Sequence, residues 1–195
     1  MNDQFRKRIY SLGGFFRDAL FLVRNSFQLL RTFLSGRVEK AFREKLNMAV
    51  TSVLGCRYCT WLHTEMALSH GVGPEELQKI LSNEFRDFPQ EQAVALAFAQ
   101  HFSETDAAPQ KEAEQRFREI YDHDTAQDIL FYIKFIYFGN LSGNTIDAFF
   151  SRLKGRPIET SSLFTETVIA ALLGPYFLII LPLLAVAFHY KTRFK

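Results

Sequence analysis

The sequence predicts an all-α protein, on three observations. Apolar residues recur at helical spacing in several long stretches, no stretch sustains the alternation of a half-buried strand, and helix-start chemistry recurs between the stretches, as at Gly73-Pro74-Glu75-Glu76 and Asp122-His123-Asp124-Thr125. Neither an internal repeat nor a low-complexity segment interrupts the pattern. At 195 residues the chain is long enough for one well-buried domain with an appendage. A formal charge of +2 offers nucleic acid no electrostatic footprint, so no nucleic-acid partner is expected. The chain has two cysteines, too few for a disulfide framework, which points to a compartment where thiols are maintained.

The basic start, Arg6-Lys7-Arg8, is followed by Arg17 and Asp18 rather than an uninterrupted apolar run, so no cleaved export signal is read. From Phe15 to Leu34 the polar residues Arg17, Arg24, Gln28 and Arg31 recur at helical spacing. They leave a wide face of Phe16, Leu20, Val23, Phe27, Leu30 and Leu34. This segment, residues 1–36 with its flank, reads as one basic amphipathic helix closed by Ser35-Gly36. It is suited to a membrane interface, or to packing on the core or on another subunit.

The next helix, Arg43 to Leu54, ends at Gly55 and carries Glu44. Directly after it comes Cys56-Arg57-Tyr58-Cys59-Thr60-Trp61-Leu62-His63, the stretch with the most chemistry in the chain. On a helix, Cys59 and His63 stand at i and i+4 on one face, within reach for imidazole to draw off the thiol proton. Cys56, one turn earlier, is placed to close a disulfide with Cys59, and helix N-termini, nearby His and C-x-x-C spacing all lower thiol pKa values. If the two helices pack antiparallel, Glu44 reaches the His63 ring and orients it, giving a carboxylate, imidazole, thiol order. Helix-terminus logic makes Cys56 the low-pKa thiol, whereas histidine contact favours Cys59 as the attacking one; we assign the attack to Cys59. Three zinc ligands with Glu44 as the fourth is the competing use of these residues, but structural zinc sites usually draw on two separate knuckles. No metal or organic cofactor is expected, the redox carrier being the Cys56–Cys59 pair.

Glu44 followed by Cys56-x-x-Cys59-x-x-x-His63 resembles the signature of the AhpD-like alkylhydroperoxidases in the carboxymuconolactone decarboxylase superfamily. The flanks are similar too: Glu39 to Gly71, the Gly73-Pro74-Glu75-Glu76 helix start, and Gly139-Asn140-Leu141-Ser142-Gly143-Asn144 on through Arg156-Pro157 resemble that family's core and closing helix. The resemblance covers roughly Arg37 to Pro157, within a thiol-redox domain read as residues 37–160, and implies an AhpD-like helical bundle, a homo-oligomer, and thiol peroxidase or disulfide reductase activity through Glu44, Cys56, Cys59 and His63. Its partners would be a hydroperoxide or disulfide substrate and a dithiol or protein electron donor. Family members often carry a second histidine between the cysteines, where this chain has Tyr58. A phenol there can donate a hydrogen bond or touch substrate, but it does not titrate near neutrality. The alternatives are a carboxymuconolactone decarboxylase-type enzyme, which needs no cysteine pair, and a membrane-tethered module whose dithiol senses redox state.

Downstream, Gly73-Pro74 opens a short helix, Asp87-Phe88-Pro89-Gln90 another with small Ala residues for close packing, and Lys111 to Ile120 a mostly charged, solvated one. An aromatic-rich helix follows the Asp122 cap, and on it Asn140 and Asn144 read as structural hydrogen-bonding groups. Past Gly155-Arg156-Pro157 and Ser161-Ser162, the run Val168 to Phe188 holds no charged residue. As one helix it would cover about 30 Å, the thickness of a hydrocarbon core. Residues 164–190 are therefore read as a hydrophobic, transmembrane anchor helix, with burial in an oligomer core or a re-entrant course as the competing readings. The expected location is membrane-associated, with the catalytic domain in the cytoplasm.

Overall fold

The computed structural model describes residues 7–180, 182, 183 and 186. Within them the chain is all-helical: α1 (Leu12–Arg24), α2 (Ser26–Ser35), α3 (Lys40–Leu54), α4 (Arg57–Ser69), α5 (Pro74–Leu81), α6 (Gln90–Glu104), α7 (Lys111–Ile120), α8 (His123–Leu153) and α9 (Leu163–Pro175), then a π-helical turn, Tyr176–Ile180.

The bundle is built round α3, which packs against α4, α5, α6 and α8 and is buried on nearly every side. A helix enclosed in this way must satisfy its polar side chains internally. Lys45 donates to Glu76 at 2.8 Å and to Gln92 at 3.2 Å, Thr51 accepts from Asn140 at 3.2 Å, and Glu44 accepts from Asn47 and His63. Gly55, at φ 68°, ends α3 in the left-handed conformation that a side chain disfavours, and α4 doubles back beside it after a single further residue. α8, about 46 Å long at 1.5 Å per residue, forms the other long wall. Asp122 caps it, accepting from the Asp124 and Thr125 amides. Asn140 and Asn144 are structural: Asn144 donates to the carbonyls of Leu54 and Arg8. α8 and α3 run in the same direction, since Arg43 stands over Tyr132, Thr51 meets Asn140 and Leu54 meets Asn144.

Two expectations change. The single amphipathic helix is two, broken at Asn25, whose side-chain amide donates to the Phe21 carbonyl at 2.8 Å and competes with the helix ladder. α2 is tied to α8 through buried Asp128, which accepts from Thr32 at 2.7 Å, Ser35 at 2.9 Å and Arg37 at 2.7 Å. The stripe from Phe16 to Leu34 is left largely open, Phe27 being 80% exposed and Leu34 75%.

The uninterrupted anchor over 164–190 is likewise not what is seen. α9 lies on α8, pinned by Arg152, whose guanidinium grips fully buried Glu166 with two bonds of 2.6 and 2.9 Å. Ile169 and Phe177 are buried in the core. Pro175, which lacks an amide hydrogen, ends α9, and the backbone widens into the π turn there. Among the described residues no helix is long and apolar enough to cross a membrane. The rest of the expected run, at 181, 184, 185 and from 187 on, lies outside the described residues.

Candidate active site

Glu44 and Asn47 occupy successive turns of α3 and face His63 on α4. The His63 Nδ1 lies 2.7 Å from Glu44 Oε2, and the Asn47 amide nitrogen is 3.2 Å from both that oxygen and that ring nitrogen. Glu44 is buried and His63 nearly so. With Nδ1 engaged by the carboxylate, Nε2 is the ring nitrogen left to exchange a proton. Asn47 was not singled out from the sequence, although its place three residues after Glu44 puts it on the same face.

Cys56 is the N-cap of α4, and its sulfur accepts from the Cys59 amide at 3.3 Å. Both sulfurs are free thiols, and both are buried. Burial opposes a charge on Cys56, but hydrogen bonds from the Cys59 thiol and from the Cys59 and Tyr58 amides, with the field of Lys7, outweigh it and bring the Cys56 pKa below that of an ordinary thiol. Cys59 moves the other way: burial pushes its thiol well up, and the hydrogen bond it gives to Cys56 adds to that. Cys56 is thus the more acidic thiol of the pair. No direct hydrogen bond joins His63 to Cys59 in this structure.

A cavity of about 490 Å³ opens over this group. Glu44, Asn47, Cys59 and His63 line one side of it, Tyr132, Phe135, Ile136, Gly139 and Ser142 of α8 another, and Leu173, Tyr176 and Phe177 a third. Cys59 faces the cavity, while Cys56 lies behind it against α8. The approach there is close. A Cβ on Gly143 would sit 2.6 Å from the Cys56 sulfur and 2.8 Å from the Phe177 ring, so only glycine admits this contact. The Ser142 hydroxyl is fully buried, lines the cavity and has no hydrogen-bond partner.

Tyr58 stands apart from the cavity. Its hydroxyl accepts from Arg57 at 2.9 Å and its ring meets Phe177 edge-on. Ser142 and Gly143 lie in the stretch whose sequence resembles the family's closing helix, yet nothing in their spacing marks them as neighbours of the cysteines some 85 residues earlier. Phe177 lies in the run read as lipid-facing, because hydropathy is the same for a residue buried against protein and one buried in lipid.

Neither the curated proteins nor the solved structures hold a match to this chain. The family model described as the Carboxymuconolactone decarboxylase family matches residues 21–100, a stretch containing Glu44, Cys56, Cys59 and His63, so this part of the chain is similar to that family, as the AhpD-like resemblance of its motif leads one to expect.

Proposed function

We propose that this chain is a thiol-dependent peroxidase or disulfide oxidoreductase that works by cycling Cys56 and Cys59 between dithiol and disulfide. The observation that carries the reading is the shared cavity wall: Cys59 and the Glu44–His63–Asn47 cluster face the same space, with the Cys56 sulfur directly behind. His63, held by Glu44, accepts the Cys59 proton at Nε2. The thiolate attacks the terminal oxygen of a hydroperoxide ROOH, the O–O bond breaks, and the leaving alkoxide takes the proton back from His63. Cys59 is left as a sulfenic acid. Cys56, the more acidic thiol, gives up its proton and attacks that sulfur; the S–S bond forms, the S–O bond breaks, and the departing hydroxide takes up that proton and leaves as water. An external dithiol then reduces the disulfide. The low pKa therefore belongs to the resolving thiol, where it shortens the life of the sulfenic acid.

The test is turnover of a hydroperoxide panel with a dithiol donor, beside Cys59→Ser and Cys56→Ser. Loss in both supports the dithiol cycle, full activity in Cys56→Ser would mean that the external dithiol resolves Cys59 without Cys56, and no hydroperoxide turnover in the parent would favour a ring-opening or decarboxylating reaction, which needs no pair. The open apolar stripe of α1 and α2, together with exposed Leu172, Ile179 and Leu183, supports association with copies of the chain or with a membrane. Light scattering in mild detergent and carbonate extraction test these in turn.

A further inference from the structure

The cavity has cations toward one end, an unpartnered hydroxyl toward the other, and Glu44, Asn47 and His63 on the α3–α4 wall between them. Its α8 wall runs from Tyr132 to Ser142, ten residues apart and so about 15 Å. Because α3 and α8 run side by side in the same direction, the register of one locates groups on the other. Lys40 and Arg43 line the Tyr132 end, with Arg43 over the Tyr132 ring at 4.9 Å. Arg43 spends Nε and one Nη on the carbonyls of Val38 and Phe33, and among the described residues neither it nor Lys40 has a carboxylate at ion-pair distance. At the opposite end stands Ser142, with its buried hydroxyl unpartnered. Between them Phe135, Ile136, Phe138 and Leu173 make the α8–α9 wall apolar, facing Glu44, Asn47 and His63 across the cavity.

Two cations at one end, a continuous apolar wall on α8 and α9, and an orphaned donor toward the end where Cys59 lines the cavity describe an occupant with an anionic head and a long apolar body carrying a polar group partway along it. A buried hydroxyl without a partner costs about 1–3 kcal/mol, which an arriving oxygen atom would recover. A volume of about 490 Å³ lies within the range of sites that enclose a small-molecule ligand.

We propose that the cavity binds an unesterified long-chain carboxylate. Its head would rest on Lys40 and Arg43, and a hydroperoxide within its chain would be presented to Cys59 and Ser142. This rests on the dithiol peroxidase reading and names its substrate class. Ser142 donates to the oxygen that becomes the alkoxide when the O–O bond breaks; the alkoxide still takes its proton from His63, and the two electrons come from the cysteine pair, later restored by the dithiol donor.

Binding is measurable without turnover. The probes are linoleate, its methyl ester and hexanoate, titrated below their aggregation limits by calorimetry into Cys59→Ser protein, with and without Lys40→Glu. Lys40 is exposed, so its replacement leaves the core alone. Linoleate should bind at least about tenfold more tightly than its ester or hexanoate, the worth of one charge-assisted contact, and Lys40→Glu should remove that preference while leaving the ester unchanged. In turnover, Lys40→Glu should raise KM for linoleate hydroperoxide by a larger factor than for tert-butyl hydroperoxide. Equal binding of acid and ester, or a preference indifferent to Lys40→Glu, overturns the proposal. Turnover of tert-butyl hydroperoxide without linoleate binding discards this substrate class and keeps the dithiol peroxidase. Linoleate binding with no hydroperoxide turned over keeps the ligand class and discards the peroxidase.

Discussion

Replacing Gly143 by alanine puts a methyl group where α8, the Cys56 sulfur and the Phe177 ring meet. The added carbon would lie 2.6 and 2.8 Å from those neighbours, against the ~3.5–4.0 Å of a relaxed contact, so each must retreat by about 1 Å. Overpacking of this kind costs about 1–3 kcal/mol, while alanine in place of a mid-helix glycine returns about 1 kcal/mol. The net loss of about 0–2 kcal/mol corresponds to a fall of at most about 8 °C in Tm for a chain of this size. Chemistry should suffer more than stability. A 1 Å misplacement of a reacting group can cost about a hundredfold, and a displaced Cys56 also leaves its place over the first turn of α4. Gly143→Ala is therefore expected to melt within a few degrees of the parent while losing on the order of a hundredfold in turnover, with slower alkylation of Cys56 at neutral pH. Parent-like turnover together with parent-like Cys56 alkylation would refute the close approach of α4, α8 and the tail on which the reasoning stands.

Glu44→Gln and His63→Ala should each lower turnover, and the double variant should be little worse than His63→Ala alone, because a base and the group that orients it act as a unit; additive losses in kcat/KM would give the carboxylate a separate task. Cys59→Ala removes the S–H donor that favours the Cys56 thiolate, so the pH midpoint for Cys56 alkylation should rise; an unchanged or lower midpoint would assign the depressed pKa to the helix terminus alone. Burial works against a charge on Asp128, but the bonds from Thr32, Arg37 and Ser35 outweigh it and hold the carboxyl below the ordinary value of about 3.9. Its contribution is thus complete above that value and lost as pH falls through the depressed folded-state value. Asp128→Asn should melt lower than the parent at neutral pH and show a flatter Tm profile into acid, and parallel profiles would contradict that account.

Much of the helical frame could be read from local chemistry. Lys111 to Ile120 forms as its charge pattern implies, α8 starts at the Asp122 cap, and α3 and α2 stop at Gly55 and Gly36, both left-handed. The meeting of Glu44 with His63 was also readable, because a one-residue link after Gly55 forces the two helices alongside each other. What escaped was set by distant contacts. Asn25 divides α1 from α2 where its side chain joins its own amide on the Phe21 carbonyl. Ser142, Gly143 and Phe177 reach the cysteines only once α8 and α9 fold back over α4, a pairing that no window of sequence contains. The tail illustrates the ambiguity of hydropathy: Glu166, two residues before the uncharged run, is buried on Arg152 and fastens α9 to the domain.

The dithiol cycle itself is tested most directly by one stoichiometric oxidation. Reduced protein is mixed with a single equivalent of hydroperoxide, quenched with an alkylating agent, digested and weighed. The account predicts loss of two hydrogen atoms within the peptide holding Cys56 and Cys59, full reversal by a dithiol, and in Cys56→Ser a sulfenic acid trapped on Cys59. A parent protein that stays fully alkylated on both cysteines while the hydroperoxide persists, or a Cys56→Ser protein oxidised anywhere but Cys59, would contradict it.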